Sequence, residues 1–185
     1  DLRAFANLMP RCHLMLVNRP SDAIADQVAR GELDLGIVTL PIGQATLETT
    51  ELFEQRLVLV VPRRHRLANR GRVGLDELSG EPVLLLEPGT RTGALLRDHF
   101  AVVGFEPRVV LETGSFEVIK RYVAEGVGVA FLPEETVSDK DRAIARVSAE
   151  GLPTVRIGTI RRRGTYRSRM EEAFLELKRL PASRD

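Results

Sequence analysis

Between Gly114 and Pro133 the chain reads GSFEVIKRYVAEGVGVAFLP, and the spacing of its apolar positions changes halfway along. Phe116, Ile119, Tyr122 and Val123 recur at helical spacing while Glu117, Lys120, Arg121 and Glu125 take the rest of the wheel, which predicts a helix lying on a core. Ser115, or Thr113 just before it, can accept the unpaired amides at the helix start, and Gly126 can take the left-handed turn that ends it. Residues 127–132 then run apolar with no alternation, so the pattern predicts a strand covered on both faces and stopped by Pro133.

The same grammar extends over the rest of the chain. Leu2, Phe5, Ala6 and Met9 sketch the tail of an amphipathic helix that Pro10 closes, and residues 12–17 follow as a buried strand. Ser21 or Asp22 can cap a second helix whose Ile24 and Val28 face inward. After Gly31, Leu33, Leu35 and Ile37 alternate with Asp34 and Gly36, as in a strand with its leucines and isoleucine inside. This helix–glycine–strand order, ending at Pro41, echoes the one ending at Pro133 at an offset of about 95 residues, so one unit occurs twice. Residues 83–86 (strand), 94–103 (helix) and 108–111 (strand) extend the second copy to β-α-β-α-β. The first copy shows the same order without its first strand, and a strand upstream of Asp1 is expected to complete its sheet.

Residues 57–61 form an apolar strand ended by Pro62, and the basic, glycine-bearing RRHRLANRGRVG after it reads as a connection. Residues 155–160 form a late strand, and Tyr166, Met170, Ala173, Phe174 and Leu177 mark a final helix with Glu171 and Glu172 near its positive end. The expected architecture is α/β with two lobes: residues 1–62 and 156–185 form lobe I, residues 63–155 form lobe II, and the chain crosses twice between them.

Composition narrows the function classes. At 185 residues the chain can bury a core without covalent staples, and no apolar run approaches the ~18 residues of a membrane span. The single Cys12 cannot form an internal disulfide, and the start carries no basic-then-apolar signal segment; both favour a reducing cytoplasm. Cys12 itself reads as a small core hydrophobe. The formal charge is +1, so no overall basic field draws this chain onto nucleic acid. The runs Arg63, Arg64, Arg66 and Arg161, Arg162, Arg163 lack interleaved aromatics and read as solvated loops.

Candidate chemistry concentrates at the predicted carboxyl ends of the strands, where open parallel sheets bind ligands. Thr39, then Thr90, Arg91 and Thr92 within EPGTRTG, then Thr113 and Ser115 supply hydroxyls, helix-start amides and one guanidinium, a set suited to a carboxylate, sulfate or phosphate. Plain helix capping accounts for the same Thr and Ser positions. No nucleophile elbow, Walker loop, dinucleotide-binding glycine pattern or His-Glu-x-x-His is present, and His13, His65 and His99 lack ligand spacing. The expectation is therefore a non-enzyme with no cofactor and no metal.

GELDLGIV at Gly31, LVLVVP followed by HRLA at His65, LDEL at Leu75, EPGT at Glu87 and VAEGVGVAFLP at Val123 stand in an order that resembles the effector-binding domain of LysR-type transcriptional regulators over nearly the whole chain. His65, Arg66, Leu67 stand where that family usually has His-Pro-Leu, a difference within a connection. The EPGT segment is similar to the branch controlling sulfur assimilation or carbon fixation. The resemblance implies a periplasmic-binding-protein-like (type II) fold, a small effector in the inter-lobe cleft, and no catalysis. It also implies homodimers or homotetramers with lobes paired antiparallel, and DNA contact only through an N-terminal winged helix-turn-helix absent from this chain. The helices at residues 21–30 and 94–103 are the expected pairing surfaces. A secreted solute-binding protein of the same fold and a prephenate dehydratase-like enzyme are the alternatives; the latter calls for Thr-Arg-Phe where this chain has Thr90, Arg91, Thr92.

Overall fold

A computed structural model describes residues 2–179. The chain forms two compact units, the first made of the stretch up to Phe53 together with that from Arg156 onward, the second Glu54–Val155. The first division falls at Phe53/Glu54, inside strand β2 (Leu47–Pro62), and not at the expected Pro62/Arg63. The apolar end of β2 accounts for the difference: Leu57, Val58, Leu59 and Val60 hydrogen-bond antiparallel to residues 130–133, and Leu59, Val60, Val61 and Pro62 to residues 144–147, all in the second unit. A segment so committed cannot belong to the first unit's core.

The second unit is built on β4 (Pro82–Leu86), α3 (Arg91–Val103), β5 (Arg108–Thr113), α4 (Phe116–Ala124) and β6 (Val129–Pro133). β4 pairs parallel with both β5 and β6, so the predicted β-α-β-α-β repeat is a parallel sheet with β4 at its centre. β3 (Arg72–Val73) and β7 (Ile144–Ala149) extend the sheet beyond β2. Every residue of β6 is buried, as the lack of alternation predicted, and Gly126 turns the chain into it at φ 82°. One sheet face, with Val60, Leu84 and Leu132, packs against Ile119 and Val123 of α4. From the other face Phe131 meets Phe100 of α3 at 5.1 Å between ring centroids. Val127 is exposed instead of buried, because the strand begins only at Val129, and Tyr122 of α4 is exposed as well.

The first unit contains α1 (Leu2–Leu8), α2 (Ser21–Arg30), β1 (Gly36–Thr39), the start of β2, β8 (Thr154–Arg162) and α5 (Arg169–Arg179). Ile24, Ala25 and Val28 of α2 pack on Val38, Leu47 and Ile160, and Phe5 of α1 meets Phe174 of α5 edge-on at 5.5 Å. Residues 12–17, expected as a buried strand, have no strand pairing: Leu14, Met15 and Leu16 are exposed and Cys12 is only half-buried. β1 pairs antiparallel with β8, and among the described residues no strand lies on its other edge. Its inward positions are Gly36 and Val38, while Ile37 is exposed, the reverse of the expected phase. Tyr166 precedes α5 and is exposed, not part of that helix's apolar face.

Lys120, expected on the wet side of α4, is buried. Its ammonium donates to the Thr136 carbonyl at 2.9 Å and pairs with Asp141 at 3.4 Å and Glu117 at 2.9 Å, pinning the 134–143 connection over the helix. Burial alone would lower the Lys120 pKa, but the bonds to Glu117 and Asp141 outweigh it and leave it raised. The Ser138 backbone N–H is the main cause holding Asp141 below the ordinary carboxylate range; burial opposes it and Lys120 adds to it. A carboxylate lowered by folding contributes stability above its unfolded pKa and loses it as pH falls through the folded one. Hydrogen exchange of residues 134–143 is therefore expected to accelerate below about pH 4, and Asp141→Asn should abolish that acid-dependent increment.

Candidate functional site

The parallel pairing of β4 with β5 sets Leu86 beside Thr113, and the Glu87 N–H donates to the Thr113 carbonyl at 3.2 Å. Beyond this point α3 and α4 both begin, so two helix N-termini share one edge of the second unit's sheet. Thr90 is the N-cap of α3: its Oγ1 accepts from the Gly93 N–H at 3.1 Å and donates to the Glu87 carbonyl at 2.9 Å. Ser115 is the N-cap of α4, its Oγ accepting from the Val118 N–H at 3.4 Å. Thr113 Oγ1 accepts one long bond, from the Ser115 N–H at 3.3 Å.

Thr90, Arg91, Thr92, Thr113 and Ser115 are thus brought together by two loops and two helix starts, with Thr92 buried and Arg91 half-buried. Capping is realised at Thr90 and Ser115. The sixth candidate, Thr39, closes β1 in the first unit, where its N–H donates to Ser21 Oγ at 3.0 Å. That bond uses the hydroxyl expected to cap α2, and the helix starts after Pro20 with no side-chain cap.

Three residues that the sequence did not single out shape this edge. Arg97 donates to the Leu86 carbonyl at 2.7 Å and to the Gly93 carbonyl at 3.0 Å, and pairs with Glu112, so it staples the end of β4 to the first turn of α3. Gly93 lets α3 start directly against that strand end: a Cβ there would meet the carbonyl oxygens of Leu86, at 2.7 Å, and Glu87. The Glu87 carboxylate lies over Gly114, with Oε1 2.6 Å from where a Cβ would stand. An acid already sits beside the positive end of α4, a feature the EPGT motif carries in its first letter.

The other candidates resolve separately. Arg161, read as part of a solvated loop, is a buried strand residue of β8. Arg63 and Arg64 are exposed and Arg66 pairs with Glu81 at 3.0 Å. His65 accepts from the Leu67 N–H at 3.3 Å through Nδ1 and faces Glu81 at 3.6 Å. Among the described residues no group of three His, Cys, Asp or Glu side chains could hold a metal ion, and no helix is long and apolar enough to cross a membrane.

A parallel β-α-β-α-β sheet whose capped helix starts gather at the carboxyl ends of its strands is the architecture of the periplasmic-binding-protein-like (type II) ligand-binding domains. Within that class the chain belongs to the LysR substrate binding domain family, whose model matches residues 2–179. It is 27% identical to the uncharacterized HTH-type transcriptional regulator YcgK of Bacillus subtilis over 96% of this chain and 60% of that protein. It is 31% identical to the HTH-type transcriptional regulator CbbR of Xanthobacter flavus over 84% of this chain and 48% of that protein. The chain therefore spans about half the length of these relatives. The regulatory domain of Synechocystis PCC6803 CcmR, solved in complex with 2-PG, superposes with a TM-score of 0.87 at 24% identity, covering 96% of this chain and 87% of that one.

Proposed function

We propose that this chain is the sensing domain of a cytoplasmic transcription regulator: it binds a small anionic effector and passes the signal to a DNA-binding region elsewhere in the protein. The observation that carries the proposal is the convergence of two hydroxyl-capped helix N-termini on one sheet edge, where backbone amides and helix dipoles favour negative charge. Thr90, Arg91, Thr92, Thr113 and Ser115 form the effector site of the second unit, and Thr39 is the first unit's contribution to the same ligand. A ligand shared by both units biases their closure, because it binds the closed state better than the open one. Self-association into dimers or tetramers, with α2 and α3 at the contacts, belongs to the same proposal. It is supported by the family, by the regulators among the relatives, and by the 2-PG complex of the CcmR domain.

Calorimetry with small carboxylates, sulfates and phosphates tests it. Because Thr90 caps α3, Thr90→Ala should cost about 1 kcal/mol of stability as well as affinity. Thr113→Ala removes only a long bond, so it should weaken the effector by about 1 kcal/mol with little change in melting temperature. Glu87→Gln removes a competing carboxylate and should tighten any anion held here. Responses identical to wild type in Thr113→Ala and Glu87→Gln would sink the site.

A further inference from the structure

The arginine pair at the end of β2 has a setting that the proposed effector site does not use. The Arg63 N–H donates to the Ala143 carbonyl at 2.8 Å, tying the exit of β2 to the segment that enters β7. Arg142 stands next to Ala143 and Arg146 lies in β7. These three side chains line a pocket of about 400 Å³ floored by Val137 and Ile144, both buried.

The acids of this pocket are already engaged. Asp139 pairs with Arg146 at 3.1 Å, and Asp141 accepts from the Ser138 N–H at 2.8 Å, from Ser138 Oγ at 3.2 Å and from Lys120 Nζ at 3.4 Å. Arg63 and Arg142 are exposed and, among the described residues, neither has a carboxylate within ion-pair distance. Asp139 and Asp141 line the same concavity but are committed to Arg146, Ser138 and Lys120, which leaves the positive charges of Arg63 and Arg142 on it without an ion-pair partner among the described residues. An oxyanion between them supplies that partner and accepts several N–H bonds in the planar geometry that arginine offers.

We infer that the second unit carries an oxyanion site at Arg63, Arg142 and Arg146, suited to a doubly charged tetrahedral group such as phosphate or sulfate. It is separate from the proposed effector site. β2 runs antiparallel to β6, with Leu57 opposite Pro133 and Val60 opposite Ala130, so the exit of β2 lies at the amino end of β6. Because β4 and β6 are parallel, Thr90 and Ser115 lie at the opposite edge of the sheet. The alternative is a patch of hydrated arginines that serves solubility alone.

Amide chemical-shift mapping of the ¹⁵N-labelled chain, titrated with inorganic phosphate at constant ionic strength, separates the two. The expected result is saturable shifts at Arg63 and residues 137–146, with a dissociation constant on the order of 1 mM and no such response to chloride or acetate. Arg63→Gln with Arg142→Gln should weaken it by about tenfold or more, while Thr90→Ala leaves it unchanged. Both arginines are exposed, so the variant's melting curve should match wild type; if it does not, each single substitution is read alone. Shifts confined to residues 90–93 and 113–115 would overturn this site and leave the effector proposal standing. Absence of saturation, or equal binding by the double variant, would overturn it as well.

Discussion

Arg161→Met is expected to lower the free energy of unfolding by about 3 kcal/mol, seen as a lower urea midpoint with an unchanged slope. The guanidinium donates to Glu171 at 2.8 Å, Glu48 at 3.0 Å and the Thr165 carbonyl at 2.6 Å, joining β2, β8 and α5 of the first unit. Burial alone would depress its pKa, but the Glu48 and Glu171 carboxylates reverse that and keep the group charged. With both Arg161 and Glu171 side chains at 9% exposure, losing one strands the other's charge in a dry site. Glu48, at 36%, can turn to water. Adding Glu171→Leu to Arg161→Met should therefore recover most of the loss. A double variant no more stable than the single one would mean that the arginine acts mainly through packing and its bond to Thr165.

Gly93→Ala is expected to cost about 2 kcal/mol and to weaken effector binding together with stability. The new methyl group would collide with two carbonyl oxygens, those of Leu86 and Glu87, which cannot rotate away as a side chain would. Relief requires α3 to withdraw from the end of β4. That strains the Arg97 bonds to Leu86 and Gly93 and moves Thr90 away from Thr113. Differential scanning fluorimetry and calorimetry on one preparation check both effects. A variant with wild-type affinity and a lowered melting temperature would separate the helix start from the ligand.

The second unit was largely legible because its helices bury one stripe and its strands bury two faces, and both arrangements leave a period in the sequence. Gly126 and the run into Pro133 are the clearest instance. The phase of β1 was not legible, for a packing reason. Gly36 faces inward because the side chains of Ile24 and Ile160 already fill its place, at 2.7 and 2.8 Å from a Cβ that is absent, so the apolar residues beside it marked the wrong face. Lys120 and Arg161 were hidden for another reason: the partners that cover them include groups distant in sequence, Thr136 and Asp141 for Lys120 and Glu48 for Arg161, while the nearby ones, Glu117 and Thr165, would look the same beside a solvated cation. At the candidate site residue types gave the cluster, while Glu87, Arg97 and the engagement of Ser21 with Thr39 required coordinates.

The division inside β2 bears on how the two units can be taken apart. The second unit is an uninterrupted insert, Glu54–Val155, whereas the first is made of two pieces. Those pieces are neighbours at the cut: the Arg163 N–H donates to the Thr46 carbonyl at 2.8 Å, Thr159 Oγ1 reaches the Thr50 carbonyl at 3.5 Å, and Arg156 pairs with Glu51 at 3.5 Å. The residue numbers fall along β2 as they rise along β8, so the two strands form an open-ended hairpin with Phe53 and Arg156 at its mouth. An Asn-Gly turn could close it. Excision of the insert would then leave a continuous miniature of the first unit, and the excised piece would be a single polypeptide with its own sheet.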